Sequence, residues 1–113
     1  MGEGLKKWIK AFKALGDESR LKMLACIANA KKKELCVCEL EAVLKLSQPT
    51  VSRHLRILEE ADFLESRRQG QWVIYTLKKN KISSIFLKLI DEISKEDELK
   101  DLIEKARKIN LRD

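Results

Sequence analysis

Between residues 37 and 77 the apolar period changes once, and that single change leaves the chain very few folds. Up to Ala61 the apolar residues recur at helical spacing. From Phe63 they fall into two short runs of strand-forming type, 63–68 and 72–77. Gln69, Gly70 and Gln71 separate the runs, and Gly70 permits the tight bend of a β-hairpin. Just upstream a short helix is predicted over about 37–45, with Leu40, Val43 and Leu44 as its apolar side. Leu46 and Ser47 form a turn. Ser47 is expected to cap the next helix, which runs to about Ala61 with Gln48 and Pro49 in its first turn, where proline costs no hydrogen bond. Val51, Leu55 and Leu58, at i, i+4 and i+7, are its inward side.

The flanks read as further helices. Leu5, Trp8, Ile9, Phe12 and Leu15 make 4–15 amphipathic, and Gly16 ends it. Asp17, Glu18 and Ser19 open a second helix over about 19–30. Its apolar residues, Leu21 and Met23 to Ala28, go nearly all round, as in a buried helix. Lys31, Lys32 and Lys33 read as a solvated connection. After the hairpin, Ile82, Ile85, Phe86, Leu89, Ile90 and Ile93 form a helical stripe over 82–93. Ser94 to Asp97 resembles a capping box opening a last helix over about 95–109. The expected class is mainly α with a β-hairpin, in one domain spanning 1–113. A short helix, a tight turn, a longer helix and a two-stranded ribbon describe a winged helix-turn-helix.

Composition excludes several alternatives. No apolar run approaches the roughly 20 residues that span a bilayer. Lysines near Met1 to Trp8 are not followed by an apolar core and cleavage site, so no secretory signal is expected. Three cysteines in 113 residues are too few for a disulfide scaffold, so a cytoplasmic chain with reduced thiols is expected. The net charge is +6, and 9 cationic residues against 3 acidic ones lie in 1–33, whereas 80–113 is balanced at 8 and 8. A basic excess suits a polyanion, although many chains without such a partner carry one. With one histidine and no phosphate loop there is no catalytic constellation, so no enzyme is expected.

On the second helix of the turn motif, Pro49, Ser52, Arg53 and Arg56 project opposite the buried side, with Gln48 and Thr50 at the exposed N-terminal end. Recognition helices touch base edges with their N-terminal residues. Gln suits adenine edges, Arg guanine, and Ser or Thr either. A merely solvated helix face would carry the same residues; the neighbouring turn and hairpin favour DNA. At the hairpin tip Arg67, Arg68, Gln69, Gly70 and Gln71 suit phosphates or the minor groove, or simply a soluble loop. His54 lies about 60° off the buried stripe and reads as a half-buried helix residue, and Trp72 and Tyr75 read as core-facing strand residues.

Cys36 and Cys38 stand at the start of the short helix, in Glu34-Leu35-Cys36-Val37-Cys38-Glu39-Leu40. Two close cysteines can be small hydrophobes. They are also soft donors for thiophilic ions, and a helix N-terminus lowers a thiol pKa, an effect that Glu34, Glu39 and Glu41 oppose. On an ideal helix, residues i and i+2 point about 200° apart. One ion is therefore expected to reach both sulfurs only if the first turn unwinds, disturbing the helix-turn-helix angle. A disulfide switch is the rival reading. Cys26, inside an apolar helix, reads as core.

Residues 14–24 (ALGDESRLKML), 34–40 (ELCVCEL), 46–58 (LSQPTVSRHLRIL) and 67–77 (RRQGQWVIYTL) resemble, in that order, the ArsR/SmtB repressors. These are winged-helix regulators that leave DNA when they bind metal or metalloid ions. The resemblance covers about two thirds of the chain. It implies a homodimer joined through 4–15 and 82–93, bound to double-stranded operator DNA, with contacts at Gln48, Pro49, Ser52 and Arg53 and the hairpin tip as wing. The ELCVC box resembles the arsenite-responsive branch, which implies Cys36 and Cys38 as ligands of As(III) or Sb(III). That branch places a third cysteine where this chain has Glu41. Cadmium or lead would draw on N-terminal cysteines, which Met1 to Trp8 lacks. Zinc would draw on histidine at 82–93, where only Asp91 and Glu92 are found, so these ions rank behind arsenite and antimonite. An interaction module without DNA is the alternative from another class.

Overall fold

The computed structural model describes residues 3–112 and places six helices around a small antiparallel sheet. The order is α1 (Glu3–Leu15), α2 (Glu18–Asn29), a 3-10 turn (Lys31–Lys33), β1 (Glu34–Cys36), α3 (Val37–Leu44), α4 (Gln48–Glu60), β2 (Leu64–Gln69), β3 (Trp72–Leu77), α5 (Lys81–Ile93) and α6 (Asp97–Lys108). This is the expected winged helix-turn-helix, with one strand more than the sequence showed. The hairpin β2–β3 pairs Leu64 with Leu77 and Gln69 with Trp72, and Gly70 turns between them at φ 61. The added strand, β1, pairs antiparallel with the other edge of β3, Glu34 opposite Thr76 and Cys36 opposite Ile74, so the sheet order is β1-β3-β2. Three residues are too short a run for alternation to reveal, and β3 supplies the ladder that makes them a strand.

α2 is the central helix, as its apolar surface predicts: Met23 to Ile27 are all buried. Asp17 caps it by accepting the Arg20 N–H at 3.0 Å, and that bond holds the Asp17 carboxyl below its ordinary range. Leu40, Leu55, Leu58, Phe63, Leu64 and Ile74 fill the space beneath α3, α4 and the sheet. Phe86 on α5 ties the bundle together, with its ring 5.6 Å from Phe63, 4.9 Å from Phe12 and 6.1 Å from Trp8. Cys26 is wholly buried, and burial pushes its thiol up to about 12, which makes it core.

Two capping expectations fail for the same reason, a nearer partner. Ser47 takes the cap position of α4, but its hydroxyl donates to Thr50 Oγ1 at 2.9 Å and caps no backbone N–H. Ser94 closes α5, donating to the Ile90 carbonyl at 2.6 Å, and α6 begins at Asp97 without a side-chain cap. The cap that does form on α5 is Asn80, in reciprocal bonds with Ser83. Along α1 and α5, Leu5, Ile9, Phe12, Ile85 and Leu89 remain exposed, an apolar surface that the core of one chain does not use.

Candidate nucleic-acid interface and cysteine pair

The turn between α3 and α4 is made by Lys45, in the left-handed conformation at φ 57, followed by Leu46 and Ser47. It fixes the angle between the two helices. α4 then buries Val51, His54, Leu55 and Leu58 and turns Gln48, Pro49, Arg53 and Arg56 fully outward. Thr50 and Ser52 are half-buried, so the expected freedom of Thr50 is reduced. Gln48 Nε2 donates to Ser52 Oγ at 2.6 Å, linking two neighbouring polar groups on the outer face. In an i, i+4 pair of this kind both side chains lean the same way.

His54 is buried, deeper than its offset from the stripe suggests. Its Nδ1 accepts from Arg20 Nη1 at 3.0 Å, while Arg20 Nε donates to the Ala14 carbonyl at 2.6 Å. The ring therefore anchors α4 to the start of α2. Burial lowers its pKa, and the Asp17 carboxylate pulls the other way.

On the hairpin, Arg67, Arg68, Gln69, Gly70 and Gln71 are all exposed. Strand alternation sends Arg67 and Arg68 to opposite faces of the sheet. Arg67 is not a free cation: its Nη1 lies 3.0 Å from Glu34 Oε2, across β3, and this pairing lowers the pKa of Glu34. Among the described residues Arg68 forms no such ion pair. Tyr75 is buried as expected, but Trp72 is only half-buried.

The cysteine pair departs most from expectation. Cys36 is not inside the helix. It ends β1 and serves as N-cap of α3, with extended backbone (φ −83, ψ 163), and Cys38 follows in the first turn. An extended cap residue brings the two side chains to one side, so the sulfurs converge without unwinding anything. The Cα atoms are 5.4 Å apart and Sγ is bonded to Sγ, so the thiols expected to be reduced are here a disulfide. Cys36 Sγ also accepts the Glu39 N–H at 3.3 Å, and Glu39 returns a bond from its Oε1 to the Cys36 N–H at 2.9 Å, a capping box built on cysteine.

The pair opens into a cleft of about 350 Å³ that also contains Glu41 of α3, Gln48, Ser52 and Arg56 of α4, and Gln71 and Trp72 of the hairpin. The two sulfurs, the outer face of α4 and the hairpin thus share one cavity, a juxtaposition that no local pattern foretells. Glu41 lies in that cleft, whereas Cys26 is in the core, so only the former is placed to assist the pair. Among the described residues no three His, Cys, Asp or Glu side chains gather as a complete metal site, and no helix is long and apolar enough to cross a membrane.

Residues 17–66 match the family described as "Bacterial regulatory protein, arsR family". The chain is 54% identical over 66 residues to the arsenic resistance transcriptional regulator ArsR1 of Pseudomonas putida, covering 58% of this chain and 50% of that one. It is 44% identical over 84 residues to the arsenical resistance operon repressor of Escherichia coli, covering 74% and 69%. The chain thus spans about half the length of the Pseudomonas relative. Among solved structures it is similar to HlyU from Vibrio cholerae, with a TM-score of 0.68 at 30% identity over 83% of this chain and 95% of that one.

Proposed function

Because this chain belongs to the arsR family of bacterial regulatory proteins, we propose that it is a homodimeric transcriptional repressor whose grip on operator DNA is governed by Cys36 and Cys38. The carrying observation is the shared cleft: the two sulfurs lie in the cavity that holds Gln48, Ser52 and Arg56 of the reading helix. α4 enters the major groove with Gln48, Pro49, Arg53 and Arg56 outward and the half-buried Thr50 and Ser52 between them, and the hairpin tip, 67–71, follows the backbone beside it. Two copies related by a two-fold axis read half-sites about one helical turn (~34 Å) apart. The exposed apolar surface of α1 and α5 supplies the joint between them.

The switch works through soft-donor chemistry. Reduced and deprotonated, the two converging sulfurs suit one As(III) or Sb(III), and the names of the arsenic relatives support that class. Cys36 is at once a donor and the cap of α3, so a ligand on it pulls at the helix that sets the position of α4. The test is fluorescence anisotropy on the DNA upstream of the gene, with reduced protein titrated with arsenite, antimonite, cadmium and zinc. Release by arsenite or antimonite, lost in Cys36→Ser/Cys38→Ser, is the expected result. Normal release from the double variant refutes the assignment.

The Sγ–Sγ bond favours a second reading, in which closure of the disulfide is itself the signal. In that case a thiol oxidant releases the reduced protein from DNA and arsenite does not.

A further inference from the structure

The segment after α6 does not trail away from the molecule. It lies back over the β1–α3 junction, and four charged side chains form one continuous network with it. Glu39, wholly buried, accepts the Cys36 N–H at Oε1 (2.9 Å) and the Leu111 N–H at Oε2 (3.1 Å). Arg112 brings its Nε within 3.2 Å of Glu39 Oε1, a charge contact without hydrogen-bond alignment. Its Nη1 donates to Glu34 Oε1 at 3.2 Å. Glu34 in turn holds Arg67 of the hairpin, at 3.0 and 3.1 Å.

We propose that residues 109–112 are a strap that sets how readily Cys36 and Cys38 join, with Arg112 and Glu39 as its positioning residues. The sulfurs meet only because Cys36 keeps an extended backbone, and that conformation is held by the bond from its N–H to Glu39. A buried carboxylate stays in place only while its charge and lone pairs are matched. Arg112 and the Leu111 N–H match them, so the strap holds the carboxylate, the carboxylate holds the cap, and the cap holds the sulfurs together. Through Glu34 the same network reaches Arg67, so the state of the cysteine pair and the set of the hairpin are linked, and by necessity in both directions. The inference rests on the reading of Cys36 and Cys38 as a working pair.

The experiment is a thiol–disulfide equilibrium of the full chain, free of DNA and metal ions, in glutathione buffers, read by alkylation and mass. One thiolate of the pair attacks oxidised glutathione and releases one glutathione. The other thiolate then displaces the second, leaving the protein disulfide and two reduced glutathiones. Arg112→Gln is expected to lower the closing constant at least threefold, about 14 mV at 29.6 mV per decade. Arg112→Lys, which keeps the charge but not the fork, is expected to fall between that variant and the wild type. Lys100→Gln, an exposed change on α6, is expected to leave the constant where it is. Leu111→Pro, which removes the N–H that Glu39 accepts and leaves Arg112 in place, provides a second route should Arg112→Gln unfold by circular dichroism. Constants equal to wild type in Arg112→Gln, or in Leu111→Pro if that variant has to stand in, overturn the proposal, as does an equal fall in Lys100→Gln. Arsenite release is not involved, so a negative here leaves the repressor reading intact, and a failure of release leaves the strap intact.

Discussion

Phe12 is the most exposed of the large apolar residues on α1, and its replacement by alanine tests the two-fold joint. Its side chain is 62% exposed in one chain. An aromatic side chain carries roughly 150–250 Å², so about 120 Å² of it is open to a partner. Truncation to alanine removes roughly two thirds of that area, about 80 Å² per protomer, or ~2 kcal/mol at ~25 cal/mol per Å². A two-fold interface counts the loss twice, so Phe12→Ala weakens the dimer by ~2 to ~4 kcal/mol, the lower figure applying if half the area stays wet. At 1.4 kcal/mol per decade this is about a 30- to 700-fold rise in the dissociation constant. Sedimentation equilibrium over a wide concentration range reads it directly. The ring also meets Phe86 edge-on at 4.9 Å, an intrachain contact worth ~0.5–1.5 kcal/mol, so a modest fall in melting temperature accompanies the change. Leu89→Ala, on the neighbouring helix and 52% exposed, is expected to weaken the dimer in the same direction. A dissociation constant within threefold of wild type for both variants refutes the assignment of this surface.

Other consequences follow from the same geometry. Arg53→Ala, on the outward face of α4, is expected to cost ~1–3 kcal/mol of operator affinity and to relax base preference at one position. Arg68→Ala, at the hairpin tip, is expected to weaken all DNA sequences alike and to flatten the salt dependence by about one ion; a base-specific effect there would argue against a phosphate contact. His54 has a lowered pKa because it is buried, so the unfolded chain binds its proton first as the pH falls. Stability is therefore complete above about pH 6.5 and is lost as pH falls from there through the folded value. A melting-temperature profile should show this step, and His54→Gln should flatten it. Leu55→Ala, at a wholly buried position of α4, is expected to destabilise the fold by ~2–5 kcal/mol in urea titrations, and a loss below ~1 kcal/mol would show that the site collapses around the gap.

Local rules carried the reading of the helices and of the outward face of α4. Periodicity acts over three or four residues, so Val51, Leu55 and Leu58 identify the buried side, and Gln48, Arg53 and Arg56 the free one, without knowledge of the rest of the fold. The hairpin was legible for the same reason, since Gly70 and the change of period are both local signals. Capping was less legible. Ser47 and Ser94 have the right chemistry, but each hydroxyl had a competing acceptor one turn away, and propensity does not rank the two.

What the sequence alone determined is the six helices and the hairpin, their order and the polarity of their faces, because these depend on neighbours in the chain. What only the tertiary structure decided lies at large separations. β1 exists because β3, some 40 residues later, offers it an edge; Cys36 thereby becomes a cap instead of a helical residue, and its sulfur turns toward Cys38. Arg20 meets His54 across 34 residues, and Arg112 meets Glu34 across 78. Glu39 looks like one more surface carboxylate in the sequence and is in fact buried, because the chain returns after α6 to cover it. A buried charge is stable only where distant segments bring its partners, and no local pattern encodes where such segments meet.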